Sequence, residues 1–234
     1  MKFAVIAAGE GSRLAAEGIS VPKPLVKVGG ESLILRLCRI FHAQGAEEID
    51  VIINEIHPQT EQFLLALMQR HPEYSIRLRV KTTPGSMISF SELAPFLGHA
   101  PFCLTTVDTV FDESEFSAYI QAFRANTSQA LMAVTDFVDD ERPLYVGTDE
   151  EMNVTGFFDE KSGCKYISGG IYCLHPSMLS SLQTCISAKR LRMRDFQRQL
   201  IADGHEVKAF PFKKILDIDH ASDIQKAEAF LTLP

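Results

Sequence analysis

The first half of the chain alternates short apolar runs with stretches of helical periodicity, and that alternation restricts its folding options most. Residues 2–7 (Lys-Phe-Ala-Val-Ile-Ala) read as a buried strand. Residues 32–44 read as a helix, because Leu33, Leu37, Ile40 and Phe41 recur on one face. Strands over 49–53, 76–80 and 102–106 then alternate with helices over 60–70, 86–94 and 113–125. Strands joined through helices by loops this short run parallel and cross over, which makes a layered α/β sheet. The second half is different: 130–137, 144–148, 154–159 and 165–173 are strand-like with little helix between them. These extend the same sheet in antiparallel fashion. A helix over 194–202, strands over 206–212 and 215–218, and a helix over 221–231 follow. With no long Pro/Gly/Ser linker between the halves, residues 1–234 are expected to form one domain.

Composition narrows the partners. The net charge of −7 disfavours wrapping nucleic acid or an anionic membrane, since both need a broad positive field. A small anion held by a few local cations remains compatible. The apolar run at 3–8 is too short for a signal-peptide core, and no stretch reaches the roughly 18 apolar residues of a membrane span. The five cysteines are scattered, with no Cys-x-x-Cys pair. A reduced, cytoplasmic setting is therefore expected.

The loop after the first strand reads Ala7-Ala8-Gly9-Glu10-Gly11-Ser12-Arg13-Leu14. Parallel sheets bind ligands at the carboxyl ends of their strands. Glycines there admit phosphate oxygens to backbone amides, and Arg13 adds a cationic fork. By itself a Gly-x-Gly also fits an ordinary turn. The dinucleotide fingerprint fails because Leu14 occupies its third glycine position, and no Gly-Lys-Ser/Thr completes a triphosphate loop. Downstream, Pro22 and Pro24 stiffen the backbone around Lys23, as suits a positioned cation.

Two acidic positions suit a divalent cation shared with a polyphosphate. Asp108 ends the apolar run 102–107 and reads as a metal ligand or a turn residue. Asp217 lies in the apolar segment 215–218, where a carboxylate is costly unless paired or metal-bound. Asp219 begins a turn into the last helix and ranks below Asp217.

The loop over 7–14 and Pro22-Lys23-Pro24-Leu25-Val26-Lys27-Val28-Gly29-Gly30 together resemble the nucleotidyltransferases that make nucleoside diphosphate sugars. Ser12 stands where threonine is commoner. Val107-Asp108-Thr109-Val110-Phe111 is similar to that family's Gly-Asp-x-x-Phe segment, and Ile215-Leu216-Asp217-Ile218-Asp219 to its Trp-x-Asp-Ile segment. Thr83-Pro84-Gly85-Ser86 resembles the turn near the nucleotide base. Glu160-Lys161 resembles the Glu-Lys-Pro segment, and Ser168-Gly169-Gly170-Ile171-Tyr172 the Asn-x-Gly-Ile-Tyr strand. Val107, Ser162 and Ile215 depart from the family pattern without removing a charge.

The resemblance implies a three-layer α/β/α Rossmann-like fold, the nucleotide-diphospho-sugar transferase fold, with a mixed, mainly parallel sheet and antiparallel additions. It also implies the stand-alone form, with no trailing repeat region. The implied reaction joins a nucleoside monophosphate from a nucleoside triphosphate to a sugar 1-phosphate and releases pyrophosphate, with Mg²⁺ as cofactor. In that reading Arg13, Lys23, Asp108 and Asp217 are catalytic, and Asp108 and Asp217 hold the metal. Ala8, Gly9, Gly11, Ser12, Arg13 and Gly85 would contact the nucleotide, and Glu160, Lys161, Ser168 and Gly169 the acceptor. The attacking phosphate is already ionised near neutral pH, its second pKa being about 6, so no side-chain base is needed. Two alternatives stay open: a cytidylyltransferase acting on phosphocholine or a similar alcohol, and a regulatory protein that binds a nucleotide sugar without making one. The base and the oligomeric state are not assigned.

Other polar features carry less. The seven histidines show no ligand spacing, and His57 and His175, each before a proline, read as loop residues. Cys173 reads as core, and the acidic run 136–141 as a solvated loop. The basic run 189–194 reads either as a solvated face or as a second phosphate contact.

Overall fold

The computed structural model describes residues 1–126, 130–139 and 141–232. Strand β1 (Lys2–Ala7) leads through the short helix α1 (Ser12–Ala16) and the small ribbon β2 (Lys27–Val28) and β3 (Glu31–Ser32) to α2 (Leu33–Ala43). Next come β4 (Ile49–Ile53), α3 (Pro58–Arg70), β5 (Ile76–Val80), α4 (Ser86–Leu97), β6 (Phe102–Thr106), β7 (Thr109–Phe111) and α5 (Glu113–Ala125). The remainder is β8 (Ala130–Thr135), β9 (Tyr145–Thr148), β10 (Val154–Phe158), β11 (Tyr166–Leu174), α6 (Leu179–Ser187), α7 (Met193–Ala202), β12 (Val207–Phe212), β13 (Ile215–Asp217) and α8 (Ala221–Leu231).

The period-two alternation of a strand divides β1 between two cores. Phe3, Val5 and Ala7 enter one core with Leu37 and Phe41 of α2, Leu64 of α3 and Phe116 of α5. Ala4 and Ile6 enter the other, with Phe90 of α4, Leu182 of α6 and Phe196 of α7. Helices therefore cover both faces of the sheet, and the layers are α/β/α. Its strand order is β10-β9-β11-β6-β1-β4-β5, with β8 joined to β11 and β12 to β8. The run β6-β1-β4-β5 is parallel throughout. β11 pairs antiparallel with β6, β8 and β9. This is the expected mixed, mainly parallel sheet with antiparallel additions.

Three details differ from the sequence reading. β12 pairs with β8 in parallel, so the extension is not wholly antiparallel. The chain reaches β12 by way of α6 and α7, a crossover that permits parallel pairing. Helix α4 continues past Pro95 to Leu97, because Leu93 and Leu97 bury on its inner face and packing outweighs one lost backbone hydrogen bond. Helix α6 was not expected from its serine-rich sequence. It forms where Leu182 and Cys185 bury, and Ser181 Oγ donates to Asp203 Oδ2 at 2.6 Å. Among the described residues, no helix is long and apolar enough to cross a membrane.

The sheet also buries a carboxylate. Asp50 of β4 lies between Ala4 of β1 and Arg77 of β5, with neither of its oxygens in a hydrogen bond. Arg77 Nε stands 3.7 Å away, while Arg77 is also paired with Glu48. Burial, helped by the charge of Glu48, pushes the Asp50 carboxyl up to about 6 against the pull of Arg77 and Lys2. The folded chain thus holds a proton that the unfolded chain releases near pH 3.8. Where the folded state binds more protons, stability falls as pH rises, here between about 4 and 6. Asp50→Asn is therefore expected to stabilise the fold by about 1–3 kcal/mol above pH 7, with the gain vanishing at pH 4. Urea unfolding at the two pH values checks this, and an equal effect at both would contradict it.

Candidate active site

The carboxyl ends of β1, β4 and β6 open onto one edge of the sheet, where the glycine loop lies. Gly11 adopts a left-handed backbone, φ 66°, as it caps α1, which a side chain would strain. A Cβ there would also press to 3.4 Å from the Lys23 Cβ. Arg13 lies within α1 rather than in an open loop, so this part of the expected loop is helical. The loop is fastened from below by Asn54, at the end of β4. Its Nδ2 donates to the Ala8 carbonyl at 3.0 Å, and its Oδ1 accepts from Thr82 Oγ1 at 2.7 Å. Asn54 is almost fully buried. Sequence reasoning missed it, although a lone amide closing the strand 49–53 was a usable signal.

Lys23 opens a 3₁₀ turn between Pro22 and Pro24, and Pro24 is buried. The turn delivers its side chain, 13% exposed, to two carboxylates. Lys23 Nζ lies 2.7 Å from Asp108 Oδ2 and 2.7 Å from Asp219 Oδ1. Arg13 Nη1 reaches the other oxygen of Asp219 at 2.9 Å. Four charged side chains from three distant parts of the sequence thus form one chain of contacts. Burial works to lower the Lys23 pKa, but Asp108 and Asp219 outweigh it and hold the group above the ordinary lysine range. Burial works to raise the Asp108 carboxyl, yet the Lys23 ammonium, aided by the Thr106 hydroxyl, holds it below the usual carboxylate range.

The two aspartate segments meet because β13 pairs antiparallel with β7, setting Asp217 opposite Thr109. The Ile218 amide donates to the Asp108 carbonyl at 3.1 Å. Asp219 and His220 donate their amides to Asp223 Oδ2 at 3.1 and 2.8 Å, which fixes the turn before α8. Asp219 therefore meets both cations, a position that the sequence ranking did not anticipate. Asp217 is exposed and faces a cavity of about 350 Å³ that Asp108, Ser168 and Gln197 also line. Two carboxylates completed by phosphate oxygens form a normal Mg²⁺ donor set, so Asp108 and Asp217 fit a metal held jointly with a polyphosphate. Among the described residues, no three His, Cys, Asp or Glu side chains are grouped to hold one unaided.

A second cavity, about 380 Å³, lies between the glycine loop and residues 83–86, with Lys23 and Asp108 in its wall. Gly85 caps α4 in extended conformation, and a Cβ there would come 2.8 Å from the Leu191 carbonyl oxygen. The structure thus gathers Ala8, Gly9, Gly11 and Gly85 around one volume, with Ser12 and Arg13 alongside in a neighbouring cleft. The residues expected to contact the acceptor divide. Ser168 accepts from Gln197 Nε2 at 2.8 Å and lines the cavity of Asp217. Gly169 makes room for β13, since a Cβ there would come 2.3 Å from Ile215 Cδ1. Glu160 and Lys161 are exposed on the turn between β10 and β11 and line neither of these two cavities. In the acidic run, Asp139 pairs with Lys226 at 2.7 Å, while Asp140 lies outside the described residues. Cys173 is buried, as expected of a core residue.

Comparison with known proteins places this arrangement. The chain is 29% identical over 194 residues to the probable mannose-1-phosphate guanylyltransferase 1 of Oryza sativa subsp. japonica, covering 78% of this chain and 52% of that protein. It is 26% identical over 195 residues to the mannose-1-phosphate guanyltransferase of Schizosaccharomyces pombe, with the same coverage of 78% and 52%. The chain spans about half the length of these curated relatives. Among solved structures, it superposes with a TM-score of 0.83 on a chain from Bacillus anthracis assigned as a glucose-1-phosphate thymidylyltransferase, at 19% identity over 98% of this chain and 94% of that one. The inositol-1-phosphate CTP transferase of T. maritima gives a TM-score of 0.79, at 19% identity over 97% and 94%. At these identities the superpositions establish the shared fold. A sequence model of the Nucleotidyl transferase family matches residues 2–233. That match runs through every segment that builds the site, and the chain belongs to the nucleotidyl transferase family.

Proposed function

We propose that the chain transfers a nucleoside monophosphate from a nucleoside triphosphate to a sugar 1-phosphate and releases pyrophosphate. The lysine clamp carries this reading. Lys23 is held by Asp108 and Asp219 beside the glycine loop, in the wall of the cavity that both line. A buried ammonium at the edge of a glycine-lined volume suits a phosphoryl group that gains charge during transfer. The curated relatives are named for a sugar 1-phosphate, which favours that acceptor over phosphocholine. The convergence of Arg13, Lys23 and Asp108 favours catalysis over nucleotide-sugar binding alone. A cytoplasmic setting belongs to the same proposal and rests on five free cysteines, four of them buried, with Cys103 and Cys173 left as thiols although they face each other across β6 and β11.

The roles follow from position. The triphosphate enters between the glycine loop and residues 83–86, with its α-phosphorus beside Lys23. Arg13 is 57% exposed and exchanges Asp219 for oxygens of the leaving pyrophosphate. Asp108 and Asp217 would hold Mg²⁺, which when bound supplies positive charge to the phosphate oxygens. The acceptor phosphate arrives ionised, so the protein brings two anions together and neutralises them without taking a proton. Ser168 and Gln197 face the acceptor's hydroxyls. Lys161 would reach the acceptor phosphate only by movement of its exposed turn.

Three outcomes are expected. Lys23→Ala or Asp108→Ala lowers turnover at least about a hundredfold, some 2.7 kcal/mol of barrier, in a pyrophosphate-release assay. Near-normal rates in well-folded variants would sink the assignment. Asp217→Ala raises the Mg²⁺ concentration for half-maximal rate by about tenfold or more, and an unchanged requirement would remove it from the metal set. The third outcome concerns pH. Lys23 is held above its ordinary range and Asp108 below, so both keep their charge from about pH 5 to 9. The profile of kcat/KM should then rise with the acceptor's second ionisation near about 6 and stay level above about 7. A descending limb centred near 8 would mean that an enzyme group titrates in the reaction.

A further inference from the structure

Beyond Asp108 and Asp217 the acceptor side continues into a wider cleft of about 730 Å³. Arg142, Arg192 and Arg194 line both this cleft and the inner cavity, and Arg198 lines the cleft alone. Four guanidinium groups thus meet on one side of a chain whose net charge is −7. Part of that charge is balanced internally. Asp159 lies 2.7 Å from Arg194 Nη1 and 2.8 Å from Arg198 Nη2. Arg194 also donates to the Arg142 carbonyl at 3.2 Å, and Arg198 to that of Phe157 at 3.1 Å. The Arg192 guanidinium makes no hydrogen bond or ion pair among the described residues.

The position of Arg192 adds a second observation. It is the N-cap of α7, whose first turn has no side-chain cap and opens where the two volumes join. A helix amino terminus carries unpaired N–H groups and partial positive charge, and acids are favoured there. This one carries Arg192 and Arg194 against a single acid, Asp195. With Arg194 paired to Asp159, Arg192 remains an unpaired cation at a positive helix end, an unfavourable arrangement that a bound anion would reverse. The segment is also anchored, because the Met87 amide of α4 donates to the Leu191 carbonyl at 3.2 Å.

We propose that the acceptor is a sugar 1-phosphate bearing a second anionic group, a carboxylate or a further phosphate, read by Arg142 and Arg192. The inference rests on the transferase reading for the placement of the acceptor's first phosphate. That phosphate occupies the inner end, near Lys23 and Asp108, where it attacks. The sugar ring spans the inner cavity beside Ser168 and Gln197. Its distal substituent then emerges at the cleft, where a planar fork matches a carboxylate or phosphate and gains little from a hydroxyl.

The test measures pyrophosphate release with Mg²⁺ and each nucleoside triphosphate, comparing a neutral hexose 1-phosphate, a hexose 1,6-bisphosphate and a hexuronic acid 1-phosphate. One of the two doubly anionic acceptors should exceed the neutral one in kcat/KM by about tenfold or more, and which one does so separates phosphate from carboxylate. Arg192→Ala and Arg142→Ala, both at exposed positions, should collapse that ratio to within about threefold. Preference for the neutral acceptor would overturn the proposal. So would an equal loss on all three acceptors, which would mean that the arginines hold the first phosphate. If no acceptor reacts with any triphosphate, the transferase reading fails, and calorimetry then tests the arginine site by itself. Hexose 1,6-bisphosphate binding at least about tenfold tighter than hexose 1-phosphate, and losing that margin in Arg192→Ala, would uphold the site. Equal binding of the two sugars would overturn it.

Discussion

A buried ammonium between two carboxylates organises this protein. Lys23 is drawn under the sheet edge by its flanking prolines, and taking its charge out of water is costly. The contacts at 2.7 Å to Asp108 and Asp219 offset that cost, and they hold together segments that the sequence sets 85 and 196 residues apart. Removing Lys23 would leave Asp108 without its cation, so the site and the local fold are coupled here. The triphosphate proposed to bind there would meet cations already placed, with acids to release rather than side chains to order.

The scaffold achieves this placement by using the two ends of its strands differently. At their carboxyl ends, β1, β4 and β6 pass into the glycine loop, the buried Asn54 that fastens it, and Asp108, which faces open volume. Toward their amino ends, Asp50 is enclosed among Ala4, Arg77 and Glu48, and burial pushes its carboxyl up to about 6. Asp50 is fully enclosed and Asp108 largely so, yet they shift in opposite directions. Asp108 has an ammonium at hydrogen-bonding distance, whereas the nearest cation to Asp50 stands at 3.7 Å and is shared with Glu48. Proximity of a cation, more than depth of burial, decides which carboxylate is kept ionised.

The side proposed to receive the acceptor follows a looser design. Its inner wall is rigid: Gln197 donates to Ser168, and Gly169 lets β13 pack closely beneath. Its outer wall is a set of exposed or half-buried arginines arranged around Asp159 and the amino end of α7. Rigid polar groups near the reacting phosphates suit a reaction common to a family. Adaptable cations farther out suit the part of the substrate that varies between relatives. Glu160 and Lys161 are exposed on the same turn that brings Asp159 into the outer wall.

Much of the layering was legible from residue order. Alternating apolar runs and helical faces dictated a parallel α/β core, because short connections leave no other way to bury both. The glycine loop, Lys23 and Asp108 were legible too, since each sits at a strand end or between prolines, where local chemistry announces a constrained backbone. Three things were decided only by tertiary packing. Helix α6 and the continuation of α4 past Pro95 depend on burial against distant strands, which no local propensity encodes. The choice of Asp219 over Asp217 as the partner of Lys23 follows from the register of β13 on β7, where a slip of two residues would bring Asp217 to the place of Asp219. The meeting of Arg142 with Arg192 and Arg194 required two loops some fifty residues apart to close on one cleft. Local sequence specifies what a segment can do, whereas long-range pairing specifies which segments do it together.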